Sequence, residues 1–227
     1  RGAIWYQGES NASDPARYRV LLPAMISGWR TIWQQGDFPF YFVQLASWDV
    51  TPAPNLTPEG WAELRDAQRM TLALSNTGMA VTVDIGDKYD IHPRNKQEVG
   101  RRLALWALAR TYAQDVIYSG PLFKSMSVEG DQVVLQFDHV GGGLVSASGP
   151  SIKGFLVSGA DQTFYPAEAK IVGDTVVVRA DAVPEPVAVR YAWWDNPEIG
   201  LSNKENLPAS PFRTDDWVGI RIKPDTE

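Results

Sequence analysis

Residues 2–15 read Gly-Ala-Ile-Trp-Tyr-Gln-Gly-Glu-Ser-Asn-Ala-Ser-Asp-Pro. The first six form a short apolar run, which predicts a buried strand. Gly8 to Ser13 are small and polar, which predicts a loop. Asp14 and Pro15 then supply a helix N-cap and the residue favoured at the first helical position. Tyr18, Leu21, Leu22, Met25, Ile26, Trp29 and Trp33 recur at helical spacing through about residue 34, until Gly36 and Asp37 end the pattern.

The same order then repeats. Residues 39–46 (PFYFVQLA) predict a second strand, followed by a Pro-rich loop over 48–58. Thr57-Pro58 caps a second helix with Trp61, Leu64, Ala67, Leu72 and Leu74 as its apolar positions. Residues 79–85 (MAVTVDI) predict a third strand, and 86–94 (GDKYDIHPR) a loop. A third helix covers roughly 95–113, with Val99, Leu103, Trp106, Ala107 and Leu108 inward. Strand and helix alternating three times imply a parallel sheet with helices on its faces. Doubly wound sheets usually have five or six strands. The sequence also opens inside a strand pattern, with neither Met nor a signal peptide. The expectation is therefore the C-terminal half of a larger parallel sheet.

Past about residue 118 the pattern changes. Gly and Pro punctuate short alternating runs at 132–137, 153–158, 169–172, 175–179 and 187–194. Val172-Gly173-Asp174-Thr175 carries tight-hairpin chemistry. This predicts two domains: an α/β part over 1–117 and a small antiparallel β domain over 118–227, either a sandwich or a meander.

Composition narrows the chemistry. The 227 residues contain no Cys, two His, nine Trp and a net charge of −6. Zero Cys removes disulfides, thiolate zinc sites and a cysteine nucleophile. Two His cannot make a three-His metal site. The acidic balance argues against a nucleic-acid partner, which needs a basic face. No apolar run approaches the roughly 20 residues that span a bilayer, so no membrane partner is expected.

His92 is the leading candidate for chemistry. It follows a predicted strand, and ligands of open α/β sheets sit beyond the carboxyl ends of the strands. A neighbouring carboxylate would hold one ring nitrogen and leave the other free as a base. Asp90, Asp84 and Asp87 are the nearby acids, and a helix-capping role for the loop is the structural alternative. Gln7, Gly8 and Glu9 leave the first strand at the same edge. They offer an amide donor, a sharp turn and a carboxylate. Gly8-Glu9-Ser10-Asn11-Ala12 resembles a nucleophile elbow with Ser10 as nucleophile, but the helix starts late and Ala12 weakens the pattern. Gln44 at the end of the second strand is a further candidate. Trp5, Trp48, Trp193 and Trp194 lie at strand ends or loops, where rings stack on sugars or pack in a core. His139 and the glycines 141–143 lie in the β part and read as turn structure.

The stretch from Gly2 to Ala12 resembles the third conserved block of sialate O-acetylesterase-like carbohydrate esterases, members of the SGNH-hydrolase superfamily. Asp90-Ile91-His92-Pro93, with Asn95-Lys96, resembles their last block, and Ala188–Trp193 with Leu207–Arg213 resembles their tail. The resemblance implies a flavodoxin-like three-layer parallel sheet with a Ser-His-Asp triad, and export to the periplasm or outside the cell. It makes His92 the general base, Asp90 its orienter, Gln7 and Gly8 neighbours of the oxyanion hole, and Glu9 a shaper of the site. Trp48 and Gln44 are further candidates for the substrate side by their position at the end of the second strand, independently of the resemblance. The acid of the wider superfamily usually stands three residues before the His, where Tyr89 stands here, so Asp87 and Glu9 remain alternatives to Asp90. The family's Gly-Gln-Ser-Asn nucleophile block does not occur in these residues. An N-terminal segment of the same protein is therefore the expected partner, with an acetylated carbohydrate as substrate and neither metal nor cofactor required. A non-catalytic carbohydrate-binding module is the competing reading.

Overall fold

A computed structural model describes residues 1–49, 59–218 and 221–222. The chain forms two compact units. The first is Arg1–Ser119 with Trp194–Asn196, and the second is Gly120–Trp193 with Pro197–Glu227.

The first unit is built on three parallel strands, β1 (Ala3–Trp5), β2 (Phe40–Val43) and β3 (Thr77–Ala80), in that order across the sheet. All four residues of β2 are buried, as a central strand covered on both faces requires. Helix α1 (Pro15–Trp33) crosses from β1 to β2, and α2 (Gly60–Met70) from β2 to β3. The start of α1 follows its local chemistry: the Asp14 side chain accepts from Arg17 N at 3.1 Å, and Pro15 stands at the first turn. Its end is a left-handed Gln34 (φ 51°), two residues before Gly36, which the sequence marks as the stop. Helix α3 (Lys96–Trp106) is capped by Asn95, which accepts from Glu98 N at 3.2 Å, and continues as a π turn over Ala107–Thr111.

The third strand differs from expectation. It runs over Thr77–Ala80, and Val83–Ile85 form a 3-10 turn instead of extending it. Thr82 Oγ1 donates to Gln44 O at 2.6 Å and Ile85 N donates to Thr82 O, so the backbone curls where the periodicity predicts extension. Thr57-Pro58 and most of the Pro-rich loop lie outside the described residues. Among the described residues, no helix is long and apolar enough to cross a membrane.

The second unit contains β4 (Leu122–Glu129), β5 (Gln132–Asp138), β6 (Leu144–Ser146), β7 (Phe155–Ser158), β8 (Thr163–Pro166), β9 (Glu168–Val172), β10 (Thr175–Arg179), β11 (Ala188–Tyr191), β12 (Leu201–Asn203), β13 (Phe212–Arg213) and β14 (Arg221–Ile222). They form a four-stranded sheet (β4-β5-β10-β9), a five-stranded sheet (β13-β11-β7-β8-β14) and a β6–β12 pair. Val133, Leu135, Val176 and Val178 of the first sheet share one core with Phe155, Val157, Val189 and Tyr191 of the second. The pairing is antiparallel except for β14 on β8. At the β9–β10 turn only Gly173 takes a positive φ (61°), as the first position of a two-residue hairpin allows a glycine to do.

Candidate functional site

The carboxyl ends of β1, β2 and β3 deliver three segments to one rim of the first unit: Tyr6–Glu9, Gln44–Asp49 and Val81–His92. Main-chain hydrogen bonds bind them together. Gln44 N donates to Ala80 O, and Asp49 N donates to Lys88 O at 3.1 Å. Gln68 on α2 serves three strand exits at once. Its Nε2 lies 3.2 Å from both Gln7 O and Val43 O, and its Oε1 accepts from Leu45 N at 2.9 Å.

His92 and Asp90 are adjacent on the β3 side of this rim. Asp90 Oδ1 accepts from His92 N at 2.9 Å and stands 3.5 Å from His92 Nδ1. The imidazole is 87% exposed and the carboxylate 42%. The carboxylate therefore faces one ring nitrogen and leaves Nε2 open to a ligand. Asp87 is spent on a local turn, accepting from Tyr89 N at 2.9 Å. Asp84 does not partner His92. It forms a forked pair with the buried guanidinium of Arg102, with Oδ2 2.7 Å from Nη2, because Arg102 reaches the β3 exit from α3. Glu98 holds the same guanidinium at 2.8 Å. Its hydrogen bonds to Arg101 and Arg102 hold its carboxyl down at about 2.

On the β1 side, Gly8 is buried with φ 155°, a conformation that L side chains rarely adopt. A Cβ there would meet Leu64 Cδ2 at 2.8 Å and Gln68 Nε2 at 3.1 Å. Glycine thus lets the chain pass close over α2. The Gln7 amide donates to Asn11 Oδ1 at 2.7 Å, and its oxygen accepts from Tyr18 OH at 3.1 Å. Glu9 opens the 3-10 turn Glu9–Asn11, in which Ser10 is exposed. Tyr6 packs between the Lys96 ammonium, 4.8 Å from its ring centre, and the core under α3. Burial pushes its phenol up to about 12, with the charge of Glu9 adding to the rise, so it is a neutral donor.

The other candidates divide between core and rim. Gln44 is fully buried and turned into α2, its Nε2 donating to Arg65 O at 3.0 Å, because a buried amide needs a partner. Trp48 is half-buried with its ring 5.1 Å from that of Trp61. Trp193 is 1% exposed and belongs to the core of the second unit, with the guanidinium of Arg190 4.7 Å from its ring, so it is no sugar platform. Trp5 stands edge-on to Trp29. His139 adopts φ 62° in a turn, and Gly142 N donates to Glu205, so the glycine run is turn structure.

Two features escape the sequence reading. Arg65 is fully buried and faces main-chain oxygens. Its Nε donates to Leu45 O (2.8 Å), Nη1 to Trp194 O (2.8 Å), and Nη2 to Ala46 O (2.8 Å) and Asp195 O (2.7 Å). Burial pulls its guanidinium down to about 9. The second feature is the segment Trp194–Asn196, which returns to the first unit although both its flanks lie in the second. A signal for Arg65 existed: Trp61, Arg65 and Gln68 share one helical stripe at i, i+4 and i+7. Among the described residues, no group of three or more His, Asp or Glu is placed to hold a metal ion.

Comparison with known proteins relates these residues to carbohydrate esterases. Residues 1–109 match the family model described as carbohydrate esterase, sialic acid-specific acetylesterase. A solved carbohydrate acetylesterase from Xanthomonas citri is 49% identical with a TM-score of 0.89, over 95% of this chain and 50% of that one. The sialate O-acetylesterase of Rattus norvegicus is 36% identical over 93% of this chain and 44% of its own length. That of Homo sapiens is 35% identical, over 93% and 45%. Over residues 1–109 the chain is thus similar to the sialic acid-specific acetylesterase family of carbohydrate esterases, and its relatives extend that similarity over most of its length. It spans less than half the length of these curated relatives.

Proposed function

We propose that these residues form the base-bearing part of a carbohydrate O-acetylesterase that removes acetyl groups from sialic acid or plant glycans. The observation that carries the reading is the His92–Asp90 pair at the strand-end rim, with Nδ1 3.5 Å from the carboxylate and Nε2 open. In this reading the first unit is part of a flavodoxin-like SGNH sheet. The nucleophilic serine comes from a Gly-Gln-Ser-Asn block outside residues 1–227, since no such block occurs within them.

The serine hydroxyl attacks the acetyl carbonyl as His92 Nε2 takes its proton. Asp90 holds the ring and stabilises the imidazolium. Donors near Gln7 and Gly8 face the developing oxyanion, and Glu9 and Trp48 shape the substrate side. His92 then returns the proton to the departing sugar oxygen, and water hydrolyses the acetyl-serine by the reverse sequence. A periplasmic or secreted location suits such a substrate.

The test is acetate release from acetylated sialic acid and from acetylated xylo-oligosaccharides by a chain that carries the serine block together with residues 1–227. His92→Ala is expected to lower kcat/KM about a thousandfold. Undiminished hydrolysis by that variant overturns the assignment. Glycan binding without any ester cleavage by the parent favours a binding module instead.

A further inference from the structure

The segment Trp194–Asn196 reaches the same rim as His92. Consecutive amides of the β2 exit establish this: Trp48 N donates to Asp195 O at 3.2 Å, and Asp49 N donates to Lys88 O at 3.1 Å. Asp195 and the loop bearing His92 are therefore joined through two adjacent residues of one strand exit. The placement is also held by a single side chain. The Arg65 fork bonds two carbonyls of the β2 exit, Leu45 and Ala46, and two of the returning segment, Trp194 and Asp195, all at 2.7–2.8 Å. A planar guanidinium with five fixed donors suits this task, and a lysine does not.

What the fork holds in place suits sugar recognition better than packing. Trp194 is 43% exposed, the opposite of its neighbour Trp193, so the chain places one indole in a core and the next in solvent at the rim. Asp195 is half-buried, and its Oδ1 is shielded from solvent without a hydrogen-bond donor. An unsatisfied carboxylate oxygen is costly in a fold, and a turn of the side chain that brings it to an incoming hydroxyl would satisfy it. The Asp195 carboxyl also faces acidic Asp49 and Glu59, with Arg65 as the opposing charge and Trp61 N as a donor. Burial raises it to about 6.

We propose that Trp194 and Asp195, fixed by Arg65, form a carbohydrate-contacting wall of the strand-end site, with the indole stacking on a sugar ring and the carboxylate accepting a sugar hydroxyl. This rests on the esterase reading and extends it to the part of the substrate away from the ester. Arg65 is a positioning residue in this scheme and touches no substrate.

The experiment uses the full-length protein and two esters: p-nitrophenyl acetate, which has no sugar, and whichever of acetylated sialic acid or acetylated xylobiose the parent cleaves better. Trp194→Ala is expected to raise KM for the sugar ester about tenfold, the scale of one aromatic contact. Its kcat/KM on p-nitrophenyl acetate should remain within about twofold of the parent's. Asp195→Asn should raise KM for the sugar ester only, and Arg65→Lys should do the same with kcat held. Equal losses on both esters, or no change on either, overturn the proposal. If the parent cleaves neither ester, the esterase reading fails by itself. The wall is then read by titrating tryptophan fluorescence with N-acetylneuraminic acid and xylobiose. Binding weakened by Trp194→Ala supports it, whereas no binding by the parent, or binding unaffected by the substitution, overturns it.

Discussion

Replacing Gly8 by Ala tests the β1 exit most directly. The residue sits at φ 155°, where an L side chain strains the backbone by about 1–3 kcal/mol. The new methyl would lie 2.8 Å from Leu64 Cδ2 and 3.1 Å from Gln68 Nε2. Leu64 is fully buried and Gln68 nearly so, so neither can swing aside into solvent. Such overpacking costs about 1–3 kcal/mol more. The sum is a loss of about 2–6 kcal/mol, which at about 2–4 °C per kcal/mol for a chain of this size lowers Tm by about 4–24 °C. Gln68 also ties Gln7 O, Val43 O and Leu45 N together, so pushing it away disturbs three strand exits at once. The assay is urea and thermal unfolding followed by tryptophan fluorescence. Gly28→Ala serves as the control. Gly28 lies inside α1 with nothing within 4 Å of the methyl an alanine would add, and the substitution should stabilise by about 0.5–1 kcal/mol. If Gly8→Ala is as stable as the parent, the close approach to α2 is not what the glycine serves.

Asp90→Asn should lower kcat/KM for ester cleavage about tenfold to a hundredfold, while Asp87→Asn, which keeps the acceptor for Tyr89 N, should leave it within about twofold; the reverse order would make Asp87 the orienter. Asp195→Asn should stabilise the protein at neutral pH. The folded carboxyl is raised from 3.8 to about 6, so the folded state binds the proton more tightly and stability falls as pH rises through that window. The full shift corresponds to about 3 kcal/mol, which screening at this half-exposed group reduces to about 1–2 kcal/mol. The gain should be complete above about pH 6 and vanish below about pH 4 in unfolding curves, and a gain independent of pH would refute the cause. Lys96→Met should cost about 0.5–1 kcal/mol by removing the ammonium over Tyr6, read as a shift in urea midpoint.

Local chemistry makes much of this molecule legible from its sequence. Asp14-Pro15 and Asn95 cap helices within their own turns, and β2 is apolar throughout because it is covered on both faces. Gly173-Asp174 turns a hairpin whose strands alternate buried and exposed. The α/β order, and with it the rim where His92 emerges, follows from such short-range signals. So does the nearness of Asp90 to His92, two positions apart. The third strand departs from the pattern over 81–85 because β-branched residues there suggest extension, while Thr82 bonds back to Gln44 and curls the chain.

Other features needed contacts between residues far apart in sequence. Arg65 reads locally as one more charged helix position. Its four carbonyl partners include two at sequence separations of 129 and 130. Asp84 reads as a neighbour of His92, yet the fork of Arg102 claims it from another helix. Trp193 and Trp194 are adjacent and identical, and only the fold decides that one is core and the other rim. The sequence by itself determined the α/β order, the helix caps, the β9–β10 hairpin and the closeness of Asp90 to His92 along the chain, since these depend on hydrogen bonds and periodicities spanning a few residues, whereas short strands such as β6 and β12 carry too few residues to show a pattern. The tertiary structure alone decided which carboxylates are spent and which distant segment shares the rim, because burial and long-range hydrogen bonds exist only once the chain has closed on itself.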